Sequence, residues 1–203
     1  PGDQSWPITA GTFILMHANP TNKAEAQSAL KFFAWAFEKG DKMAEELDVS
    51  VFGTSAKYLD ALESAGSKPG ASFRLNNLRA ILSTGSPLSE ESFDFVYHDI
   101  KSDVLLASIS GGTDIVSCFV LGNPVLPVYR GELQCRGLGM KVEAFDDSGE
   151  AIYNRSGELV CTQAFPSMPI YFWNDPAGQK YQDAYFADYP NIWRHGDYIE
   201  INE

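Results

Sequence analysis

Between residues 51 and 109 the chain alternates short apolar strands with amphipathic helices, and two of the strands run into turns rich in glycine and hydroxyl groups. Strand Arg79–Ser83 leads into Leu82–Ser89 (LSTGSPLS), and strand Val104–Ile109 leads into Ser108–Ile115 (SISGGTDI). A helix capped by Ser89 joins them into a β-α-β unit. Because such crossovers are right-handed, both strands should be parallel, with their turns at one sheet edge where ligands bind.

The second turn carries groups that suit a phosphate and its magnesium. Gly111 and Gly112 allow close approach of a ligand to the backbone, Thr113 offers a hydroxyl, and Asp114 offers a hard anionic oxygen. Glycine-rich turns after strands are common, so the prediction depends on the surrounding sequence.

The remaining pattern predicts one more helix in this half and a change of architecture after Val116. The helix spans about Ser55–Ala65 and is followed by a loop at Gly66–Ser72. From Val116 onward the pattern is mostly β, with a hairpin turn at Asp146–Gly149 and one helical segment. The predicted strands are Met140–Phe145, Gly157–Thr162 and Tyr198–Asn202, and the helical segment is Pro176–Ala187. The predicted fold class is α/β: a partial parallel β-α-β layer, then a small antiparallel barrel or sandwich.

The first 49 residues predict a separate strand–helix segment. A strand at 7–17 precedes a helix that Asn22 caps and Gly40 ends, and a second short helix runs through Leu47. The apolar stripe of the longer helix is expected to be core. The predicted organisation is therefore residues 1–49, an α/β half at 50–115, and a mostly β part at 116–203.

Composition excludes several functional classes. The 203 residues carry a net charge of −12, which argues against nucleic acid or an anionic membrane as partner. No apolar run approaches the ~20 residues that span a bilayer. The chain starts at Pro1 without a signal peptide, so we expect a fragment or a processed chain. Its three cysteines form no CxxC pair and favour free thiols, with one disulfide and a spare thiol as the alternative.

Six ordered segments carry a family resemblance over residues 51–203. They are FGTSAKYL at 52–59, ILSTGSPLS at 81–89, SISGGTDIVSCF at 108–119, GELVCT at 157–162, FWNDP at 172–176 and HGDYIEIN at 195–202. Together they resemble an internal segment of the acetoacetyl-CoA synthetase branch of the adenylate-forming, AMP-binding superfamily. The resemblance implies an acid–CoA ligase that uses ATP and magnesium, and a small-molecule nucleotide as the partner.

The resemblance also assigns roles to individual residues. Gly85, Ser86 and Pro87 match the segment that lies along the adenosine, and Ser110, Gly111 and Gly112 match the wall between adenine and the acyl pocket. Thr113 matches the threonine at the α-phosphate, and Asp114 matches the acidic residue associated with magnesium. Asp197 matches the carboxylate that accepts both ribose hydroxyls. His195 lacks a serine or cysteine partner for a triad, so we interpret it as structural.

The family's other catalytic parts have no counterpart in this sequence. Neither the glycine-rich phosphate loop with its lysine nor the C-terminal domain with the catalytic lysine is recognisable. Because adenylation depends on positioning and neutralising the triphosphate, we expect no synthetase turnover and no catalytic residue in these 203 residues.

Residues 3–48 resemble an unrelated family. QSWPI and the helix LKFFAWAFEKG are similar to a C-terminal segment of periplasmic phosphate-binding proteins of ABC transporters, and the join falls near residues 49–51. The alternative hypotheses are therefore an inactive chimera or a weak phosphate-binding module. The larger segment implies a cytoplasmic location and the smaller a periplasmic one. The strand at 7–17 could pair with an open sheet edge, and homodimerisation through that edge is the competing expectation.

Overall fold

The computed structural model describes residues 48–202, and these form two compact units. The first unit holds the described residues through Ser108 together with Pro124–Glu132. The second holds Ile109–Asn123 and the residues from Leu133 onward. The predicted strand at 7–17 and the two helices before Leu47 lie outside the described residues.

The first unit is a three-stranded parallel sheet with helical connections. Its strands are ordered β1-β2-β3, and β2 pairs in parallel with both neighbours. The elements are β1 (Val51–Ser55), α1 (Ala56–Ser64), α2 (Pro69–Ser72), β2 (Ala80–Thr84), α3 (Glu90–Phe95) and β3 (Leu105–Ser108). The predicted parallel β-α-β unit is confirmed.

Helix caps explain where the two longer helices begin. The Ser55 hydroxyl accepts a hydrogen bond from the Tyr58 backbone N–H, and the Ser89 hydroxyl accepts one from the Ser92 N–H, which satisfies a free donor at each helix start. Glu90 and Glu91 lie in the first turn of α3, where the positive end of the helix dipole favours carboxylates. The buried core beneath the sheet and helices includes Leu59, Ile81, Phe93, Val96 and Leu106.

Three local details differ from the sequence prediction. Strand β1 was not predicted, because VFGTS is too short and too mixed to show a clear period. The predicted loop at Gly66–Ser72 ends in the single helical turn α2, where Pro69 at the first helical position has its φ already set. Helix α3 passes into a π-helical turn at Val96–Ile100, which sequence periodicity does not reveal.

The second unit contains two antiparallel sheets and one helix. One sheet has the order β10-β9-β7-β8 and the other β4-β5-β6. The elements are β4 (Ser110–Gly112), β5 (Ser117–Leu121), β6 (Cys135–Arg136), β7 (Val142–Phe145), β8 (Ala151–Ile152), β9 (Ser156–Cys161), α4 (Gln179–Tyr185) and β10 (Trp193–Glu200). The predicted α/β fold class is confirmed, with sandwich-like antiparallel sheets following the parallel layer.

Apolar side chains from both antiparallel sheets form one core in this unit. Phe119 from β5, Val142 from β7, Leu159 from β9 and Trp193 from β10 are all buried. Phe119, Phe165 and Trp193 contact one another edge-on or tilted, with ring centroids 5.2 to 6.1 Å apart. Such aromatic contacts add to simple area burial. The aromatic core therefore packs β5 and β10 together, and the residues of the site described below lie next to these strands.

The structure also bears on the predicted hairpin turn, on the state of the cysteines and on the predicted lack of membrane-spanning segments. The Asp146–Gly149 turn joins β7 to β8, and the Gly149 N–H donates to the Asp146 carbonyl at 2.9 Å. Cys118, Cys135 and Cys161 are all free thiols, as expected. Within residues 48–202, helices are too short or too polar to cross a membrane.

Candidate functional site

The segment SISGGTDI contains a short strand followed by a turn. Ser110–Gly112 forms β4, which pairs antiparallel with β5, and only Thr113–Val116 is a turn. A Cβ at Gly111 would lie 2.2 Å from the Ser117 carbonyl oxygen and 2.6 Å from the Cys118 Cα. Gly111 is therefore required by close packing of two backbones, because its neighbours are main-chain atoms that cannot move aside.

The segment His195–Asp197 interrupts the long strand β10. Pairing between β10 and β9 shifts register between Arg194 and Tyr198, and Gly196 has φ +90°. A bulge of this kind bends a strand and redirects its side chains. Glycine adopts this backbone conformation without the penalty that a side chain would add. Strand β10 begins at Trp193, before the bulge, so the predicted strand start at Tyr198 was five residues too late.

A buried carboxylate on β9 fixes the bulge. Glu158 is 6% exposed, and its Oε1 accepts a hydrogen bond from the Gly196 N–H at 2.8 Å. Its Oε2 lies 3.2 Å from the Arg194 guanidinium, which also contacts Asp188 at 2.8 Å. The two carboxylates raise the pKa of Arg194, chiefly through attraction by Glu158. Glu158 is thus satisfied by one backbone donor and one cation, as a buried carboxylate must be.

Asp197 lies against the start of β4. The Ser110 hydroxyl donates to Asp197 Oδ2 at 3.3 Å, although the two residues are 87 positions apart. His195 Nε2 lies 3.2 Å from the Gly111 carbonyl oxygen and 3.6 Å from Asp197 Oδ2. The Asp197 side chain remains 59% exposed. Its carboxylate is thus held on one side by protein groups and open to a ligand on the other.

The imidazole of His195 is the most constrained polar group of this site. Its side chain is 11% exposed, and its ring meets Phe119 edge-on at 4.9 Å between centroids. Nδ1 is buried without a hydrogen-bond partner among the described residues. The contact of Nε2 with the Gly111 carbonyl oxygen is the polar contact through which His195 would play the structural role predicted from the sequence.

Asp114 has a partner that the sequence did not indicate. The Tyr185 hydroxyl on α4 donates to Asp114 Oδ2 at 2.5 Å. Partial burial, together with this carboxylate, raises the pKa of Tyr185 to about 12. The phenol ring is stacked on the Trp193 indole, with centroids 3.6 Å apart and planes 16° apart. Thr113 is exposed beside Asp114. The only sequence signal for Tyr185 was the helical pattern around it, which did not single it out.

Asp114 could contribute one ligand to a magnesium site. Among residues 48–202, His, Cys, Asp and Glu side chains do not cluster in a group of three that could hold a metal ion. Magnesium is commonly held by one or two carboxylates together with waters and substrate phosphates. An exposed carboxylate such as Asp114 fits that use, and a metal cage made only of protein groups does not.

Gly85, Ser86 and Pro87 belong to the first unit. They follow β2, and Gly85 has φ +86°, which explains why glycine stands at this turn. In the same unit Ser83 on β2 is paired with Ser108 on β3, so the two parallel strands end at one edge, as predicted. In the second unit the structure brings Ser110, Gly111 and Asp197 together, with Asp114 at the neighbouring turn.

Known proteins with similar sequences show which family this chain is related to. No protein-family model matches it. An acetoacetyl-coenzyme A synthetase of Rhizobium meliloti is 60% identical over 151 residues, which are 74% of this chain and 23% of that protein. The acetoacetyl-CoA synthetase of Mus musculus is 52% identical over 160 residues, 79% of this chain and 24% of that protein. Over about three quarters of its length, the chain is homologous to acetoacetyl-CoA synthetases.

Solved structures agree with this homology. The acetoacetyl-CoA synthetase from Streptomyces lividans matches with a TM-score of 0.74 and 43% identity, over 80% of this chain and 26% of that one. An anthranilate CoA ligase, solved in complex with anthranoyl-AMP, matches with a TM-score of 0.64 at 15% identity, over 81% of this chain and 30% of that one. The second match shows a shared fold alone. The chain spans about a quarter of the length of the curated acetoacetyl-CoA synthetases that it matches.

Proposed function

We propose that this chain carries part of the nucleotide site of an acetoacetyl-CoA synthetase-like, adenylate-forming enzyme. The observation that carries the proposal is the exposed carboxylate of Asp197, held by Ser110 on its strand side and next to His195 in a glycine-dependent bulge. Homology at 60% identity supports the same assignment.

Asp197 is proposed to accept hydrogen bonds from both ribose hydroxyls. A carboxylate has two acceptor oxygens and can receive two donors at once when it is ionised. The Ser110 hydroxyl already donates to Oδ2, which fixes the rotation of the carboxylate. The Asp197 side chain is more than half exposed, so acceptor positions of the carboxylate remain accessible to a ligand.

The turn after β4 is proposed to face the phosphates. Thr113 would donate its hydroxyl to the α-phosphate, and Asp114 would hold magnesium through the oxygen that Tyr185 leaves open. Magnesium, when bound, neutralises phosphate charge. Ser110, Gly111 and Gly112 would form the wall between adenine and the acyl pocket, and the assignment of Gly85, Ser86 and Pro87 to adenosine rests on sequence resemblance alone.

These 203 residues are not expected to complete a catalytic cycle by themselves. No glycine-rich loop with a lysine resembling the family's phosphate loop occurs in the sequence. Without such donors, the charge that develops on the leaving pyrophosphate is not compensated. We therefore propose nucleotide binding as the retained activity, and no synthetase turnover.

Calorimetric titration tests this proposal. AMP, and ATP with magnesium, should bind in the micromolar range or weaker, and Asp197→Ala and Thr113→Ala should abolish the heat. Asp103→Ala, which removes an exposed carboxylate in the other unit, is the matched control and should bind as the unmodified chain does. Absence of heat with both nucleotides would refute the proposal. A pyrophosphate-exchange signal with acetoacetate would refute the expected lack of turnover.

A second candidate is an inactive chimera with a phosphate-binding-protein-like segment at its start. The synthetase matches cover 74 to 80% of the chain. This candidate rests on the resemblance of QSWPI and LKFFAWAFEKG, within residues 3–48, to the other family. This candidate predicts no heat with AMP or ATP. Inorganic phosphate tests the remaining variant, a weak phosphate-binding module: heat with phosphate alone supports it, and no heat with any of the three ligands leaves the inactive chimera.

A further inference from the structure

We propose that His195 is a positioning residue that holds Asp197 and strand β4 in one arrangement through a hydrogen bond from its Nε2 to the Gly111 carbonyl oxygen. The inference rests on the proposed nucleotide function and adds a role for a side chain that would not itself touch the nucleotide.

The contacts of the ring define which nitrogen carries the proton. Nε2 lies 3.2 Å from the Gly111 carbonyl oxygen, and a carbonyl only accepts hydrogen bonds. Nε2 must therefore be the donor. Nδ1 is buried with no partner among the described residues, so a proton there would be a buried donor without an acceptor. The environments of both nitrogens therefore favour a ring that donates from Nε2.

Packing holds the ring in this orientation. Phe119 lies edge-on to the imidazole, and Phe119 is itself fully buried. On the strand side, a Cβ at Gly112 would lie 3.3 Å from His195 Cε1. The glycine thus leaves the space that the ring occupies. Rotation of the imidazole away from Gly111 would lose the hydrogen bond and open a gap beside Phe119.

The consequence for Asp197 follows from its place in the same bulge. Glu158 fixes the Gly196 N–H from β9, while His195 joins the bulge to the Gly111 carbonyl of β4. Asp197 follows directly and receives the Ser110 hydroxyl from the same strand. Loss of the His195 contact would let β4 and the bulge separate, and the Ser110–Asp197 hydrogen bond would be lost with it. The carboxylate would then no longer be aimed at the ribose.

The experiment compares AMP with 2′,3′-dideoxy-AMP, which lacks both ribose hydroxyls. The unmodified chain should prefer AMP. His195→Asn places its amide near the Nδ1 position, too short to reach Gly111, and should weaken AMP binding about tenfold while leaving the dideoxy nucleotide unchanged. His195→Gln carries an amide N–H near the Nε2 position and should retain the preference. His98→Gln changes an exposed histidine of the other unit and is the matched control.

The ratio of the two affinities separates positioning from simple destabilisation. A purely structural loss would weaken both nucleotides equally, so an unchanged ratio in His195→Asn overturns the proposal, as does a collapsed ratio in His195→Gln. Nitrogen-15 NMR of the imidazole provides the second readout. A proton at Nε2 supports the hydrogen bond to Gly111, and a ring that is protonated at Nδ1 and not at Nε2 overturns it. If the unmodified chain binds no nucleotide, the proposed function fails, and the NMR result alone decides the His195 contact.

Discussion

Tyr185 and Asp114, 71 residues apart, share a hydrogen bond of 2.5 Å between the phenol and carboxylate Oδ2. The contact joins helix α4 to the turn after β4. It makes Asp114 a partnered carboxylate with one oxygen committed to protein. The phenol is in turn held by its stacking on Trp193.

Tyr185→Phe should remove a tyrosine that ionises near pH 12. Burial and Asp114 raise the pKa of Tyr185 from 10.0 to about 12, because both disfavour the phenolate. The neutral Tyr185 side chain therefore contributes to the stability of the folded state fully below pH 10.0, and this contribution is lost as the pH rises through about 12. Spectrophotometric titration should show the last ionisation step in the unmodified chain and not in the variant. Tyr171→Phe removes a solvent-exposed hydroxyl and should keep that step; retention of the step in Tyr185→Phe would contradict the assignment.

Glu158→Ala should be the most damaging single change of a charged residue in the second unit. It would leave the Gly196 N–H without its acceptor and Arg194 without its buried partner. Because Arg194 is partly exposed, we expect a loss of about 2–4 kcal/mol in the free energy of unfolding. Urea unfolding followed by circular dichroism measures the change. Glu158→Gln retains an acceptor and should lose less, and Glu200→Ala on the same sheet should change stability by under about 0.5 kcal/mol. Equal losses for all three would contradict the anchoring role.

Gly111→Ala and Gly112→Ala should differ sharply although the residues are neighbours. A methyl group at Gly111 meets backbone at 2.2 Å, whereas at Gly112 the nearest atom is His195 Cε1 at 3.3 Å. We expect a cost of about 3 kcal/mol or more at Gly111 and about 1 kcal/mol or less at Gly112. Hydrogen exchange in β4 and β5 should accelerate in the first variant, with β2 of the other unit as internal reference. Similar exchange in both variants would show that backbone contact does not set the requirement.

Arg130→Ala should loosen one segment with little effect on overall stability. Arg130 contacts Glu90 and donates to Asp94 at 2.9 Å, tying Pro124–Glu132 to helix α3. All three side chains are about half exposed, so the network should contribute no more than about 1 kcal/mol. Faster hydrogen exchange at 124–132 with a nearly unchanged unfolding midpoint is the expected result. High salt should produce the same acceleration in the unmodified chain. Val128, in the same segment, packs against the core of the first unit, and an exchange rate insensitive to both changes would show that this packing holds the segment instead.

Sequence reasoning was most successful where a local rule decides the structure. Ser89 begins α3 because its side chain caps a free N–H, and the parallel pairing of Ser83 with Ser108 follows from the β-α-β order. The turn at Asp146–Gly149 likewise follows from its own residue types. These features depend on neighbours within a few positions or on a topological rule.

The features that sequence reasoning missed depend on distant partners. Nothing near Tyr185 indicates that it reaches Asp114, and nothing near Glu158 indicates that it binds the Gly196 N–H. The segment Val51–Ser55 is short and has no clear hydrophobic period. It is a strand because it pairs with β2, which a local pattern does not reveal. The roles of Thr113 and Asp197 in nucleotide binding stay predictions, because resemblance supplies them and titration tests them.

The bulge in β10 has a consequence for protein engineering. The tripeptide His195–Gly196–Asp197 takes its shape from a glutamate on the adjacent strand, since Glu158 holds the Gly196 N–H in place. Grafting only these three residues onto another pair of antiparallel strands would therefore transfer the sequence of the motif and lose its geometry. A graft that also carries the buried glutamate and its arginine would be the smallest portable unit, and the aspartate would then arrive with its orientation already set.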